Sequence, residues 1–250
     1  MDKKEYKKVR FGLIGRNISY SFSKGYFTQK FSELGLDDYS YENFDLEKIE
    51  DISSLIDNNP NIKGVNVTIP YKEAVLPYLT EIHPKAAQIG AVNTIKLHMG
   101  QRIGFNTDVY GFRNAIESQL KTHHKKALIL GTGGASKAVA FVFDELGIPF
   151  QFVSRNPTAN QLNYSDLDQN KMEEYTILIN CTPLGTFPKV EDKPNVPYQF
   201  IGDAHLLFDL IYNPQKTSFL TEGESRGATI CNGHRMLQLQ AEKSWEIWNS

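Results

Sequence analysis

Short apolar runs alternate with longer amphipathic segments along the whole chain. In the first half, the runs have the length and composition of strands, and the segments between them have helical periodicity. Two of the runs flank Met99-Gly100, a dipeptide suited to a hairpin turn. The alternation indicates an α/β layer. The predicted strands of this half are residues 9–14, 39–44, 62–69, 92–98 and 101–105, and the predicted helices include residues 23–34 and 46–56.

The second half repeats the alternation with shorter, more continuously apolar strands. Between the first two of these strands, Val139, Val142, Phe143 and Leu146 recur at helical spacing and form one apolar stripe. The polar segment 121–126 suits a connection between domains. Two α/β domains are the simplest account of the pattern. The predicted strands of this half are residues 127–130, 150–154, 176–180, 206–209 and 228–230, and the predicted final helix is 236–248.

Composition narrows the class of protein. A chain of 250 residues can bury two modest cores, and its 40% hydrophobic and 22% charged residues are ordinary for a globular protein. The net charge of -2 gives no reason to expect nucleic acid or an anionic membrane as a partner. Cys181 and Cys231 are too few for a disulfide framework and wrongly spaced for zinc. With neither a membrane span nor the apolar region of a signal peptide, the sequence predicts a cytoplasmic protein.

A glycine turn, Gly131-Thr132-Gly133-Gly134, follows the predicted strand 127–130 and precedes a helical pattern. Such a turn presents backbone N–H groups and a helix N-terminus to the phosphates of a nucleotide. Ser136 stands where the usual pattern has its third glycine. Any tight strand-to-helix turn attracts glycine, so a purely structural turn remains an alternative. The surrounding strands and helix favour nucleotide binding.

The end of the next strand distinguishes between nucleotides. An NAD site usually carries an acidic residue there, which binds the ribose 2′-hydroxyl. Here the strand runs into Ser154-Arg155-Asn156 and has no carboxylate. The planar guanidinium of Arg155 suits a 2′-phosphate, although a solvated surface arginine is the alternative. The sequence therefore favours NADP over NAD.

Polar residues of the first half occupy positions where a ligand would bind. Asn66 and Thr68 alternate with the apolar residues of the predicted strand 62–69, and Lys72 follows its end. Asp108 precedes another helical pattern. Each has a simpler interpretation, since Lys72 would also suit a solvated helix start and Asp108 a helix N-cap. Local pattern alone indicates an NADP-linked protein of two domains with a polar binding site.

Eight motifs stand in the order in which the shikimate dehydrogenase family has them, and the chain resembles that family over nearly its whole length. Any one of them is a modest signal, whereas the ordered set is specific. The motifs are Ser19-Tyr20-Ser21-Phe22-Ser23, residues 64–72 (GVNVTIPYK), 90–94 (GAVNT), 104–108 (GFNTD), 131–135 (GTGGA), 180–185 (NCTPLG), 209–214 (DLIYNP), and Gly233 followed by residues 236–240 (MLQLQ).

The resemblance implies an α/β fold of two domains. An N-terminal α/β substrate-binding domain would comprise residues 1–107 plus 233–250, since the C-terminal helix returns to the first domain in this family. A doubly wound Rossmann-type NADP-binding domain would comprise residues 108–232. The implied reaction is the reversible NADPH-dependent reduction of 3-dehydroshikimate to shikimate, on the route to chorismate and the aromatic amino acids. Shikimate would be the small-molecule partner of a monomer or homodimer that needs no metal.

The family's functional residues carry over by motif. Lys72 and Asp108 match an acid–base pair that handles the proton on the C3 oxygen. Tyr20, Lys24 and Ala159 depart from the family's usual histidine, proline and second basic residue, so Arg155 is left as the main reader of the 2′-phosphate. The expected substrate-binding residues are Ser21, Ser23, Thr68, Asn93, Asp108, Tyr212 and Gln240, and the expected cofactor-binding residues are Gly131, Thr132, Gly133, Gly134, Ala135, Ser154, Arg155, Asn156, Leu210 and Gly233.

Two alternatives remain at this stage. A bifunctional quinate/shikimate dehydrogenase that also uses NAD would be expected to carry an acidic residue near position 155, and the sequence has none there. A nucleotide-sensing relative without catalysis would be expected to lack Lys72 or Asp108, and both are present.

Overall fold

The computed structural model describes residues 8–18 and 21–250, which fold into two compact units. One unit comprises Met1–Thr107 and Ala241–Ser250, and the other comprises Asp108–Gln240. Each unit is built from a six-stranded sheet with helices. The predicted α/β class is confirmed.

The first unit contains a mixed sheet with the strand order β2-β1-β3-β5-β6-β4. Only β5 runs antiparallel to its neighbours, because it forms a hairpin with β6 around Met99-Gly100 as the sequence predicts. The strands are β1 (Val9–Gly15), β2 (Tyr39–Asp45), β3 (Ile62–Val67), β4 (Glu81–Ile82), β5 (Thr94–His98) and β6 (Gln101–Phe105), and the helices are α1 (Phe22–Glu33), α2 (Asp51–Asp57), α3 (Tyr71–Ala74) and α4 (Pro84–Ile89).

Two hydrophobic clusters cover the opposite faces of this sheet. Successive residues of β1 belong to different clusters, because neighbouring side chains of a strand point to opposite faces. Leu13 contributes to an aromatic cluster with Phe27 and Trp248, whereas Ile14 contributes to an aliphatic cluster with Val65. Both faces of the sheet are therefore buried.

Three elements of the first unit differ from the sequence prediction. Strand β3 ends at Val67, and Ile69 is 70% exposed instead of continuing the apolar face. The chain turns at this point, where the Tyr71 N–H donates to the Thr68 carbonyl, because the following Pro70 cannot extend a sheet ladder. The helix predicted for residues 46–56 is confined to α2. The two-residue strand β4 was not predicted.

The second unit contains a sheet with the order β12-β11-β10-β7-β8-β9, in which every pairing is parallel. Counted from its first strand, this is the 3-2-1-4-5-6 order of doubly wound dinucleotide-binding sheets. The strands are β7 (Ala127–Leu130), β8 (Phe150–Val153), β9 (Gln161–Leu162), β10 (Ile177–Asn180), β11 (Leu206–Asp209) and β12 (Thr229–Cys231), and the helices are α5 (Asp108–Ile116), α6 (Gly134–Leu146), α7 (Gln169–Glu174), α8 (Ser218–Glu224) and α9 (His234–Asn249).

Helix α9 contributes to both units. Its residues 234–240 lie in the second unit, and Ala241–Ser250 lie in the first. The physical reason is a close approach between α5 and α9. A Cβ on Gly111 would lie 2.5 Å from the Met236 carbonyl oxygen and 3.1 Å from the Gln240 Cβ. The absence of a side chain at Gly111 lets the first half of α9 pack directly on α5.

Cys181 and Cys231 are both free thiols. Of the helices among residues 8–18 and 21–250, none combines the length and the apolar character that crossing a membrane requires.

Candidate active site

The glycine turn lies at the carboxyl end of β7, in the interior of the parallel sheet. Gly131 has φ of +101°, a conformation that residues with a Cβ rarely adopt. Gly133 precedes α6 and has no side chain to cap it, and a Cβ added there would meet nothing within 4 Å. The start of this 13-residue helix is thus left without a side-chain cap for its backbone N–H groups. The turn fits a dinucleotide pyrophosphate.

Ser136, near the start of α6, is hydrogen-bonded to the glycine turn. Its hydroxyl donates to the Gly133 carbonyl oxygen at 2.6 Å, and the residue is fully buried. The serine at the third position of the motif therefore joins the turn to α6 by a hydrogen bond, where a glycine would provide only close packing. Thr132 is exposed, and Gly134 and Ala135 are half-buried in the first turn of α6.

Arg155 follows β8, the strand beside β7. Its side chain is exposed, and within the described part of the chain no carboxylate is paired with it. Burial raises the pKa of the neighbouring Tyr164 phenol, and the Arg155 charge opposes this rise. The Asn156 N–H donates to Ser154 Oγ at 3.2 Å, which shapes the turn around the guanidinium. A solvated guanidinium at this edge can bind the 2′-phosphate of NADP.

Leu210 and Gly233 lie together at the same edge. A Cβ on Gly233 would lie 2.1 Å from the Leu210 carbonyl oxygen, so only glycine permits this approach. The Gly233 N–H donates to the Ile211 carbonyl oxygen at 3.0 Å. Tyr212 follows in the same loop and is half-buried. The structure thus brings two predicted cofactor residues into contact.

In the first unit, Ser21 and Ser23 lie at the beginning of α1. Ser21 is the N-cap, and its Oγ accepts the Lys24 N–H at 3.3 Å, which leaves the hydroxyl hydrogen to donate elsewhere. Ser23 is buried beside the Tyr41 phenol, and its hydroxyl opposes the rise that burial causes in the pKa of that phenol. Two hydroxyls at the N-terminus of a 12-residue helix suit a carboxylate ligand. Ser19 and Tyr20, the first residues of the same motif, lie outside the described residues.

A buried polar cluster extends inward from Ser23. Tyr41 donates to Asn66 Oδ1 at 2.8 Å, and burial raises the pKa of this phenol. Asn66 Nδ2 donates to Ser244 Oγ at 2.9 Å and to Thr94 Oγ1 at 3.1 Å. Sequence reasoning missed most of these residues, because they become neighbours only through the fold. The buried polar cluster comprises Tyr41, Asn66, Asn93, Thr94, Thr107 and Ser244, all less than 5% exposed.

The cluster fixes the orientation of Asn93. Its Oδ1 accepts the Thr107 N–H at 2.7 Å and lies 3.2 Å from the hydroxyls of Thr94 and Thr107. Three donors around one oxygen identify it as the amide oxygen and turn the Nδ2 group away from them. Asn93 can therefore present N–H donors to a ligand oxygen.

Lys72 and Thr68 lie after β3, at its carboxyl end. Lys72 is half-buried in α3, and its carbonyl oxygen accepts the Val92 N–H at 2.7 Å, which joins it to the segment that contains Asn93. The Thr68 N–H donates to the Ile14 carbonyl oxygen at 2.8 Å, so its backbone continues the ladder with β1. These two residues and Asn93 are predicted site residues that the fold of the first unit brings to one region.

In the second unit, Asp108 is the first residue of α5 and is 5% exposed. Gly111, one turn later on α5, packs against Gln240, which is 7% exposed. A buried carboxylate and a buried amide thus lie on two helices in direct contact. Among the described residues, no group of three or more histidine, cysteine, aspartate or glutamate side chains is arranged to hold a metal ion.

Comparison with known proteins identifies the family. A family model described as "Shikimate dehydrogenase substrate binding domain" matches residues 13–95. The NADP-dependent shikimate dehydrogenase of Clostridium beijerinckii is 40% identical over 248 residues, covering 95% of this chain and 91% of that protein. Shikimate dehydrogenase 1 of Peptoclostridium difficile superimposes with a TM-score of 0.85 at 38% identity, covering 96% of this chain and 91% of that one.

A crystal structure of shikimate 5-dehydrogenase from Thermus thermophilus, in complex with NADP(H) and shikimate, gives a TM-score of 0.85 at 31% identity. That match covers 96% of this chain and 93% of the other. Similarity therefore extends through both units and nearly the full length of each relative. The chain belongs to the shikimate dehydrogenase family.

Proposed function

We propose that this chain catalyses the reversible NADPH-dependent reduction of 3-dehydroshikimate to shikimate. The observation that carries the proposal is the glycine turn at the centre of a 3-2-1-4-5-6 sheet, in a chain whose relatives are NADP-dependent shikimate dehydrogenases. Residues 108–240 would bind the cofactor, and residues 1–107 with 241–250 would bind most of the substrate. We place the reaction in the cytoplasm, with a small molecule as the partner.

NADP(H) binding is assigned to the carboxyl edge of the second sheet. The start of α6 would bind the pyrophosphate through backbone N–H groups, and Arg155 would bind the 2′-phosphate. Ser154 and Asn156 shape the Arg155 turn, and Leu210 and Gly233 would border the nicotinamide. The bound cofactor supplies or accepts the hydride, so the protein's own residues need only bind, orient and move a proton.

We assign substrate binding to polar groups at the start of α1 and around Asn93. Ser21 would donate its hydroxyl to the substrate carboxylate at the N-terminus of α1, and Ser23 would do so on turning from Tyr41 to the ligand. Asn93 would donate its Nδ2 hydrogens to a ring hydroxyl. Buried donors of this kind discriminate strongly, because an analogue without the hydroxyl leaves them unpaired. Thr68, Asp108, Tyr212 and Gln240 complete the set.

Proton transfer is assigned to Lys72 and Asp108. The C3 oxygen becomes alkoxide-like as the carbonyl is reduced and must receive a proton. A lysine ammonium can stabilise that oxygen and donate the proton, and a carboxylate can orient the groups that take part in the transfer. The pair needs no metal to polarise the carbonyl.

The test is NADPH absorbance during incubation of the purified protein with shikimate and NADP⁺. We expect turnover that falls about 10²- to 10⁴-fold in Lys72→Ala and in Asp108→Ala, the range that general acid–base groups contribute. Circular dichroism establishes that each variant is folded. Lys85→Ala, an exposed lysine of α4, is the matched control and should retain activity.

The same assay separates the alternative functions. Strong turnover of quinate, or of shikimate with NAD⁺, would assign the chain to the bifunctional enzymes. Binding of NADP⁺ without turnover of any substrate would contradict the proposed activity and support a nucleotide-sensing role.

A further inference from the structure

Two buried polar residues end the strands on one side of the glycine turn. Asn180 is the last residue of β10, and Asp209 is the last residue of β11. Both are fully buried, and the two strands pair with these residues in register. The substrate and cofactor residues assigned above include neither of them. A buried carboxylate and a buried amide are costly to desolvate, so their contacts indicate what they hold in place.

Asp209 accepts three hydrogen bonds. Its Oδ1 accepts from Asn180 Nδ2 at 3.0 Å and from the Ile211 N–H at 3.0 Å, and its Oδ2 accepts from the Thr217 hydroxyl at 2.6 Å. The bond to Ile211 spans Leu210, so the carboxylate fixes the backbone of the segment 210–211. Thr217 caps α8 through its own Oγ1, which ties the end of the same loop to the carboxylate.

Asn180 organises the neighbouring loop in the same way. Its Oδ1 accepts from the Thr182 N–H at 3.0 Å and from the Thr182 hydroxyl at 2.7 Å. Its Nδ2 reaches the Leu184 carbonyl oxygen at 3.3 Å in addition to Asp209. The hydrogen-bonded pair Asn180–Asp209 therefore fixes both the segment 181–184 and the segment 210–211.

Both segments contact glycines of the cofactor site. The Leu210 carbonyl packs on Gly233, as described above, and a Cβ on Gly131 would lie 3.1 Å from Thr182 Cγ2. The pair thus determines the position of the surfaces against which two of the assigned cofactor residues pack. A change in the segment 210–211 would be transmitted directly to Gly233, the assigned residue that borders the nicotinamide.

The strand order indicates which half of the cofactor these segments face. With the pyrophosphate on the turn after β7 and the 2′-phosphate at Arg155 after β8, the adenosine half lies on the β8 side. The other half must extend to the opposite side of β7, over the ends of β10 and β11. Those ends are Asn180 and Asp209.

We propose that Asn180 and Asp209 are positioning residues for the nicotinamide half of NADP(H), acting through the backbone segments 181–184 and 210–211. This inference rests on the proposed function for the identity of the cofactor. The pair acts by hydrogen bonding, since each acceptor oxygen of Asp209 is matched to a donor. The adenosine half is held by other residues and is independent of the pair.

The experiment compares two ligands by isothermal titration calorimetry: NADP⁺, and 2′-phospho-ADP-ribose, which lacks the nicotinamide. In Asp209→Ala we expect the Kd for NADP⁺ to rise at least about 10-fold, because three buried donors lose their acceptor. The Kd for the nicotinamide-free ligand should change less than about 2-fold, because the side chains of the pair make no hydrogen bond to Arg155 or to the turn after β7. The turnover number should fall while the KM for shikimate stays constant.

Asp209→Asn tests the hydrogen-bond geometry. Its Oδ1 can still accept from Asn180 and Ile211, and its Nδ2 can donate to Thr217 Oγ1. We expect it to bind both ligands within about 3-fold of the wild type. Thr182→Ala is the milder second variant, since Thr182 is half-buried and its loss loosens only the segment 181–184. We expect it to raise the Kd for NADP⁺ by less than Asp209→Ala does and to leave the Kd for the nicotinamide-free ligand nearly unchanged. This variant tests the inference even if Asp209→Ala fails to fold.

Asp168→Ala is the matched control. Asp168 also accepts a backbone N–H, from Lys171 at 2.9 Å, but it caps α7, which leads into the amino end of β10. It should leave both affinities unchanged. Three outcomes would overturn the inference. Asp209→Ala or Thr182→Ala could weaken the binding of both ligands equally, or neither variant could weaken the binding of NADP⁺. Asp209→Asn could also weaken the binding of NADP⁺ as much as Asp209→Ala does. A wild type that binds both ligands without oxidising shikimate would refute only the proposed function.

Discussion

Single side chains in this protein gain their roles from neighbours distant in the sequence. Asn93 is one of several asparagines in the chain, but three donors around its Oδ1 leave only one orientation for its amide. Ser21 is one of many serines, but its position as the N-cap of α1 fixes its hydroxyl beside a helix N-terminus. At the residue scale, hydrogen bonds and helix positions therefore give common residue types a defined orientation as donors.

Arg155 carries the prediction about the choice of cofactor. Its exposed guanidinium follows β8, where a 2′-phosphate would lie. Arg155→Ala should raise the KM for NADP⁺ about 10- to 100-fold, the range expected for the loss of hydrogen bonds to a charged group. The KM for NAD⁺, which lacks that phosphate, should change little. Steady-state kinetics with both cofactors measure the ratio.

Arg226→Ala is the control for this variant, since Arg226 is an exposed arginine of the same unit that pairs with Glu222. It should leave both KM values unchanged. An equal rise in both values for Arg155→Ala would contradict recognition of the 2′-phosphate.

The sequence identified residues that are predicted to bind the cofactor, but it did not identify the buried residues that hold them in position. Gly131 and Arg155 belong to a local strand–turn–helix pattern, so their spacing alone identifies them as candidate cofactor residues. Asp209 and Asn180 end two strands that lie 29 residues apart in the chain, and only the parallel pairing of β10 and β11 makes them neighbours. Their hydrogen bonding could not be read from either motif.

The second half of α9 is attached to the first sheet by polar as well as apolar contacts. The Trp248 indole Nε1 donates to the Ile95 carbonyl oxygen at 3.0 Å, and its ring fills the space above Gly64. Ser244, one turn earlier, is fully buried against Asn66 and Thr94. The helix is therefore an integral part of the first unit although it begins in the second.

Ser244→Ala should destabilise the first unit. The substitution removes one hydrogen-bond partner each from Asn66, Thr94 and Thr107, and a typical buried hydrogen bond contributes about 0.5–1.5 kcal/mol. Urea unfolding followed by tryptophan fluorescence is a selective measurement, because both tryptophans, Trp245 and Trp248, belong to this unit. We expect a lower midpoint with an unchanged slope.

Ser225→Ala, which removes an exposed serine after α8, is the control for α9 and should not change the midpoint. A midpoint for Ser244→Ala equal to that of the wild type would show that water or a rearranged hydroxyl replaces the lost contacts.

Helices and strands that have a local sequence pattern could be predicted from the sequence. Those that depend on tertiary contacts could not. Strand β7 is apolar throughout, and β10 and β11 are apolar up to the polar residue that ends each, so their existence followed from composition. Strands β4 and β9 have two residues each and no apolar pattern, because they form only through pairing with an existing edge. The close packing of the first half of α9 on α5 requires the missing side chain at Gly111 and is a tertiary effect.

The stability of the whole molecule depends on pH through two groups, Asp209 and His124, whose contributions change in opposite directions. Burial raises the pKa of Asp209 from 3.8 to about 6, so its contribution to stability is present at low pH and is lost as pH rises through about 6. Burial lowers the pKa of His124 below 6.5, so its contribution is present above 6.5 and is lost as pH falls. Below pH 6 the two oppose each other, and the wild-type curve alone does not separate them.

His124→Asn isolates the histidine. His124 Nδ1 accepts the Lys121 N–H at 3.0 Å, so charging the ring requires a proton on an atom that already serves as an acceptor. The Oδ1 of asparagine can accept the same N–H without titrating. We expect the free energy of unfolding of the wild type to fall more steeply than that of the variant from about pH 7 to about pH 5, by at most about 1.4 kcal/mol per pH unit for one proton.

Urea unfolding at a series of pH values, followed by circular dichroism because the tryptophans lie in the other unit, measures this difference in slope. His98→Asn, at an exposed histidine that ends β5, should keep the wild-type slope and excludes a general effect of losing a histidine. The smaller asparagine lowers stability at every pH, but that loss is constant and does not affect the comparison. Parallel curves for the wild type and His124→Asn would mean that the ring gains its proton in the folded state without cost, with Lys121 free to move away from Nδ1.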